Sequence, residues 1–325
     1  MKRSSTSLGL VIAVIAAATF GLSGAFVKPL LEAGWSPAAA VTVRALTGGI
    51  ILAPIAAVAL RGRWSLLWRA RWRVLGMALV GVAGAQLFYF AAIQRIPVGT
   101  AILIEYIAPV LLVAVAWART RRMPRIAVLV GTVVSVVGLA LVVSPGAGTH
   151  GFDVLGLVFA VAAMVGCAGY YVIAARPSDG LPSVALAASG LIVGGIALCA
   201  VGLTHVVPFT ATFGTVRMFG ASVSWWVPIL IVGVVATAIA YATSIAATEM
   251  LGSRLASFAG LLEVVAATFY AWLLLGEKLT LPQLLGGALI LAGIGFVRSE
   301  KRTAPVEPAT PVLVTRAAGS SISGR

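Results

Sequence analysis

Ten stretches of the chain are apolar over about the length of a bilayer crossing, and short polar, charged or Pro/Gly-containing breaks separate them. They run Leu8–Leu31, Ala38–Leu60, Val74–Ile93, Val98–Ala118, Ile126–Val143, Val154–Ala174, Ser183–Leu203, Trp225–Ala246, Leu255–Leu275 and Pro282–Val297. A helix needs roughly 20 apolar residues to cross the hydrocarbon core. The runs are apolar on every face and do not alternate with period two, which predicts helices and excludes the strands of a membrane barrel. Their Gly and Ala content suits close helix packing in lipid. The expected fold is an all-α integral membrane protein with ten transmembrane helices.

The pattern is written twice. Gly21, Gly24, Val27 and Pro37 recur 145 residues later as Gly166, Gly169, Val172 and Pro182. Ala92, Trp117, Gly131 and Gly138 recur 155 residues later as Ala247, Trp272, Gly286 and Gly293. Each copy holds five runs, and an odd number of crossings inverts the second copy relative to the first, as in many transporters. The expected domains are residues 8–144 and 152–298, two inverted five-helix repeats, followed by a disordered cytoplasmic tail over 299–325, which is polar and lacks helical periodicity. The first run follows Lys2 and Arg3 as a signal peptide would. It is longer than such a segment, and its glycines recur in the sixth run, so it reads as a retained helix.

Composition agrees, with 61% hydrophobic and 10% charged residues, where soluble domains carry about a quarter charged. The net charge of +14 is unevenly placed. With ten crossings and a cytoplasmic amino terminus, eighteen cationic residues fall on the inner side. Four, Lys28, Arg95, Arg217 and Lys278, fall outside. The positive-inside rule then places both termini in the cytoplasm. Basicity is thus mainly an orientation signal with anionic-lipid contact as a second use, and nucleic acid is not an expected partner. Cys167 and Cys199 lie in apolar runs without metal-like spacing and read as small packing residues. No cofactor or metal is expected.

Three stretches carry a family resemblance: FGLSGAFVKPLLEAGWSPAAAVTVRA from Phe20 to Ala45, AAIQRIPVGTAILIEYIAPVLLVAVAW from Ala91 to Trp117, and AATEMLGSRLASFAGLLEVVAATFYAWLLLGEKLT from Ala246 to Thr280. They resemble the drug/metabolite transporter superfamily, in its ten-helix branch with tandem EamA-type domains. The resemblance implies two facing five-helix bundles, a central cavity lined mainly by the first four helices of each half, and a fifth helix buttressing the outside. It also implies a secondary-active transporter of small polar metabolites in the cell inner membrane, with amino acid export the leading reading and drug or other metabolite efflux the alternative. The copies have diverged: Arg121-Arg122-Met123 stands against Gly276-Glu277-Lys278, and Pro109 against Val264.

Charges within lipid usually face a cavity or a partner. Arg44 lies seven residues past Pro37 and Glu105 eight past Pro97, depths of roughly 10 and 12 Å, so the two are expected at one level and able to pair. Such a pair either engages a zwitterionic substrate or fixes the packing of the second and fourth helices. Glu263 lies near mid-membrane without an obvious basic partner, which makes it a candidate proton-coupling site, with Glu105 the alternative. Gln86, Tyr89, Tyr106, Tyr170, Tyr171 and Tyr241 are candidate cavity-lining residues, joined by Trp117 and more weakly by Gln94, whose alternative role is to end the third helix. Pro109 is expected to kink the fourth helix, and Gly260 and Gly252 to let the ninth bend.

Gly21-Leu22-Ser23-Gly24 matches the short serine motif of intramembrane proteases, but His150 and His205 both fall in expected outer loops. There is no HExxH zinc motif and no phosphate loop. An enzyme is therefore not expected. A channel or a noncatalytic scaffold fits the inverted duplication less well than a carrier does.

Overall fold

The computed structural model describes residues 2–96, 98–143, 153–204, 206–276 and 278–299. The expected tail lies, beyond Ser299, outside the described residues, as do His150, His205, Pro97 and Glu277. Among the described residues ten helices are long and apolar enough to cross a membrane. They are α1 (Thr6–Glu32), α2 (Pro37–Leu60), α3 (Arg71–Ile93), α4 (Thr100–Thr120), α5 (Ile126–Val143), α6 (Val154–Ala174), α7 (Ser183–Leu203), α8 (Trp226–Leu251), α9 (Ser253–Leu275) and α10 (Leu281–Ser299). Their starts follow local chemistry. Ser36 caps α2, its hydroxyl accepting from the Ala39 amide at 3.3 Å, with Pro37 in the first turn, where a missing N–H costs nothing. Asp153 caps α6 through the Gly156 amide at 3.0 Å, and that hydrogen bond holds its carboxyl below the ordinary range, assisted by Arg95.

The repeats interlock. The first helix of each packs against the third and fourth helices of the other: α1 on α8 and α9, α6 on α3 and α4. The second helices, α2 and α7, pair with each other, and so do the fifth, α5 and α10. The repeated glycines set these approaches. A Cβ on Gly21 would stand 2.8 Å from the Ala267 amide of α9, and one on Gly166 would stand 2.9 Å from the Ala85 Cα of α3. In the α5–α10 pair, a Cβ on Gly138 would lie 2.6 Å from the Gly286 carbonyl oxygen, and one on Gly131 2.7 Å from the Gly293 carbonyl oxygen. The fifth helices therefore meet backbone to backbone, through the glycines that the duplication conserves between its halves.

Gly138→Leu should force this contact apart and cost about 3 kcal/mol or more, the upper end of overpacking penalties. Gly295→Leu, whose added Cβ would meet open space, should be nearly silent. Thermal midpoints of the two purified variants check this, and equal midpoints would remove the α5–α10 contact as a source of stability.

At one end of the molecule, β1 (Thr215–Met218) and β2 (Ala221–Ser224) form an antiparallel hairpin. Its turn residues Phe219 and Gly220 have φ of 52° and 85°, the left-handed pair that two-residue hairpins favour. The preceding strand of loop covers the α1–α2 turn. Trp35 Nε1 donates to the Thr212 carbonyl at 2.7 Å, and its ring stacks on Trp225 at 5.7 Å. The opposite end carries exposed arginines at positions 61, 63, 69, 71, 119, 121 and 122. Between the two ends, large apolar side chains such as Ile50, Val58, Val133 and Ile196 are more than half exposed, the surface a lipid-facing belt presents.

Candidate functional site

Four helices depart from regular α geometry, and they do so at matched positions in the two repeats. Met77–Gly84 in α3 and Val234–Ile239 in α8 are π-helical, a widening of the turn often found at functional sites. The helix containing α4 is broken between Val98–Glu105 and Ala108–Thr120, and α9 is broken between Ser253–Gly260 and Leu262–Leu275. In α4 the cause is Pro109. It has no N–H to give the Glu105 carbonyl four residues back, and it sits in the first turn of the second half-helix. The expected kink is thus a full break just ahead of the proline. In α9 no proline is present, and Leu261 and Val264 tighten to bonds with Phe258 and Leu261 three residues back. Gly252 has no part in bending α9: it joins α8 to α9 at φ 80°.

These irregular segments surround a cavity of about 460 Å³, within the range of small-molecule sites. Its lining runs from Leu31 and Pro37, at the hairpin end, to Glu263 and Ala267 near the middle of α9. Arg44, Gln86, Tyr89, Glu105, Tyr106, Tyr170, Tyr171, Tyr241 and Glu263 all line it. Every one of the first four helices of each repeat except α7 contributes. Trp117, expected there, is instead 49% exposed on the outer surface, and Gln94 takes the alternative role of ending α3, as its exposed cap. Cys167, expected as a packing residue, lines the cavity wall.

The charges are arranged differently from the pairing that depth along the helices suggests. Arg44 Nη1 donates to the Ser23 hydroxyl of α1 at 2.9 Å, and no Arg44–Glu105 ion pair forms among the described residues. Equal depth does not bring side chains together when a cavity opens between their helices. The carboxylate within electrostatic range of Arg44 is Glu263, which therefore does have a basic neighbour. Glu105 and Glu263 lie within range of each other, and the Tyr106 side chain sits against Glu263. One arginine and two carboxylates from both repeats thus converge at the helix breaks. The serine of the GxSG tetrad serves as the acceptor for Arg44.

An aromatic layer underlies this floor. Tyr170 and Tyr171 meet edge to face at 5.2 Å, Tyr170 and Tyr241 at 5.9 Å, and Phe20 and Tyr241 at 5.1 Å. The Tyr170 hydroxyl and Ser244 hydroxyl are 2.8 Å apart. Beyond the layer lies a second void of only about 20 Å³, lined by Ala13, Ala16, Ala17, Ala256 and Gly260 and sharing Phe20, Tyr171, Ser244 and Glu263 with the large cavity. It has room for about one water molecule.

Past this void, toward the arginine-rich end, Arg73 ties three helices together. It is 8% exposed, and it donates to the carbonyls of Ile173, Ala174 and Pro177 at the end of α6 and to Glu249 near the end of α8. Its guanidinium lies 2.9 Å from the Glu249 carboxylate. In the sequence Arg73 is one of the eighteen inner-side cations, and Glu249 lies just past the end of the eighth apolar run. Ser244 was legible, since the 155-residue offset maps Tyr89 onto it, just as it maps Gln86 onto Tyr241.

Gly260 packs directly under the Tyr171 hydroxyl, where an added Cβ would collide. Gly260→Ala should push Tyr171 into the large cavity and lower transport about tenfold or more while the protein still purifies as a monodisperse species. Adding Tyr171→Phe should recover part of the loss relative to Tyr171→Phe alone, since the ring carbon leaves a 3.1 Å approach. Full activity of Gly260→Ala in a liposome transport assay would show that this packing is not needed.

Among the described residues no cluster of His, Cys, Asp and Glu could hold a metal ion. A family model for the EamA-like transporter family matches residues 7–144 and 154–299. The chain is 25% identical over 303 residues to the "Uncharacterized inner membrane transporter YicL" of Salmonella typhimurium, covering 92% of this chain and 97% of that protein. It is 27% identical over 208 residues to an "Uncharacterized transporter" of Archaeoglobus fulgidus, covering 63% of this chain and 69% of that protein. A solved structure described only as a crystal structure of protein superposes with a TM-score of 0.71 at 21% identity, over 90% of this chain and 96% of that one. That likeness speaks to the fold alone.

Proposed function

This chain belongs to the EamA-like transporter family and is a multi-pass membrane transporter, and from that premise we propose that it is a secondary-active carrier exporting amino acids or related small polar metabolites by alternating access. The observation that carries the substrate reading is the floor of the cavity, which brings one arginine, Arg44, and two carboxylates, Glu105 and Glu263, together among tyrosines. A zwitterion fits such a site: its carboxylate meets Arg44, held in place by Ser23, and its ammonium meets the two glutamates. With both carboxylates ionised the three side chains sum to one negative charge, which a bound cation balances. A zwitterion adds no net charge, so that cation is a proton, and Glu263, with Glu105 as alternative, is the proposed proton-coupling group.

Alternating access is supported by the matched breaks in α4 and α9, with Pro109 and Gly260 as the proposed hinges. The cavity reaches the hairpin end, while the aromatic layer and Arg73 close the other. The concentration of arginines at that closed end supports a cytoplasmic placement for both termini, and likeness to an inner membrane transporter supports the inner membrane. In this orientation the cavity faces outward, the releasing state of an exporter.

A second reading, efflux of lipophilic cations, is favoured by the aromatic wall that accompanies the two glutamates. Screening metabolites for thermal stabilisation of the purified protein, then measuring counterflow of each hit in liposomes, separates the two. Stabilisation by amino acids with saturable counterflow is the expected result. A panel in which only lipophilic cations stabilise the protein would replace the amino acid reading, and continuous conductance without counterflow would indicate a channel.

A further inference from the structure

The connection between α2 and α3 has one face on the protein and one face bare. Arg61 ends α2 at φ 49° and Gly62 follows at φ 79°, so the chain turns sharply before a short helix, Ser65–Arg69. Leu66, Leu67 and Ala70 pack on the core around Leu60, Leu181 and Leu186. On the other face Trp64, Trp68 and Trp72 are 56%, 72% and 72% exposed. Spacing by four residues lines them up on one side of a nearly helical segment. The Arg71 guanidinium lies 5.2 Å from the Trp68 ring centroid and 5.5 Å from that of Trp72, and its Nη1 donates to the Trp68 carbonyl at 3.2 Å. Arg61, Arg63 and Arg69 are exposed beside it. None of these four arginines forms an ion pair among the described residues.

Three exposed indoles interleaved with four guanidinium groups that form no ion pair among the described residues constitute an amphipathic surface whose partner must be apolar and anionic at once. Indole rings favour the headgroup level of a bilayer, where the ring is buried and the N–H stays wet. The segment sits at that level, beginning one residue after the apolar run of α2 ends. Guanidinium matches phosphate oxygens in a planar fork, and each basic residue near an anionic leaflet gains about fivefold in binding. We infer that residues 61–72 form a docking site for the headgroup phosphates of anionic phospholipids in the adjoining leaflet, with Trp64, Trp68 and Trp72 seated at the interface and Arg69 and Arg71 on the phosphate. Bilayer charge would thereby hold the outer face of the segment whose inner face leads into Arg73.

The test uses the full chain reconstituted in bilayers of dibrominated phosphatidylglycerol or dibrominated phosphatidylcholine, whose bromines quench nearby indoles. Subtracting the signal of Trp68→Phe/Trp72→Phe isolates the two ring emissions. Their quenching should report a preference for phosphatidylglycerol that falls about fivefold or more in Arg69→Gln/Arg71→Gln. Inorganic phosphate should not compete. Equal quenching by the two lipids, or a preference untouched by the arginine changes, overturns the proposal. Competition by inorganic phosphate would mean a free-anion site and overturns it as well. Should the double variant fail to fold, the wild-type chain decides: the preference must shrink as salt shortens the screening length, and one that persists undiminished at roughly 1 M salt rejects the site.

Discussion

Arg73→Ala is expected to cost roughly 3 kcal/mol of stability and to open the closed end of the transporter's cavity. The figure is the lower end for breaking a buried ion pair, because Glu249 keeps 24% of its side-chain exposure while Arg73 keeps 8%. The residue does two jobs with one planar group. It neutralises Glu249, and it satisfies carbonyls at the end of α6, where free carbonyls and the helix dipole both favour a cation. Both partners belong to the second repeat and Arg73 to the first, so the contact crosses between the halves that the proposed alternating access would separate.

Arg73→Ala/Glu249→Ala should be less destabilised than the sum of the single changes, since it removes the orphaned carboxylate. Labelling of Cys167 in the cavity wall, with Cys199 replaced by Ser, gives the conformational readout. An impermeant thiol reagent should reach Cys167 from the hairpin side in the wild type and from both sides in Arg73→Ala. An unchanged thermal midpoint with one-sided labelling would show that Arg73 is no latch.

Glu263→Gln is expected to reduce gradient-driven transport to background in proteoliposomes while leaving substrate exchange intact. Amide for carboxyl keeps the shape and contacts beside Tyr106 but removes the charge that a coupled proton would balance against Arg44 and Glu105. Exchange needs the substrate alone to carry the site through its cycle, so it survives. Glu105→Gln run in parallel assigns the role: if that variant loses coupling and Glu263→Gln keeps it, Glu105 is the coupling group. Gradient-driven transport at the wild-type rate in both would discard proton coupling through either glutamate.

The membrane class, the number of crossings and the twofold duplication were legible because they depend on composition summed over long windows, which no single contact overrides. The repeated glycines were legible as a pattern and acquired a meaning only in three dimensions. Gly131, Gly138, Gly286 and Gly293 recur because α5 and α10 pair across the duplication axis. The break in α4 could be anticipated from Pro109, whereas its counterpart in α9 carries no proline and the two π-helical segments carry no sequence mark. Gln86, Tyr89, Glu105, Tyr106 and the three remaining tyrosines were placed together by lying in the inner helices of each half. Trp117 shares that membership but points away, because in runs apolar on every face no periodicity tells the cavity side from the lipid side.

By itself, then, the sequence determined that ten helices cross a membrane, that five of them repeat the other five in the inverse sense, and that three charges, Arg44, Glu105 and Glu263, lie deep within the apolar runs. Those properties follow from the cost of unsatisfied backbone and of charge in lipid, which act along the chain without reference to its folding partners. Tertiary structure alone decided which partners the charges take: Ser23 for Arg44, Glu249 for Arg73, and Glu263 as the carboxylate within electrostatic range of Arg44. Position along a helix sets the depth of a charge, but its partner depends on rotation about the helix axis and on which repeat lies opposite. Both are settled by the packing of α1 and α6 into the other half.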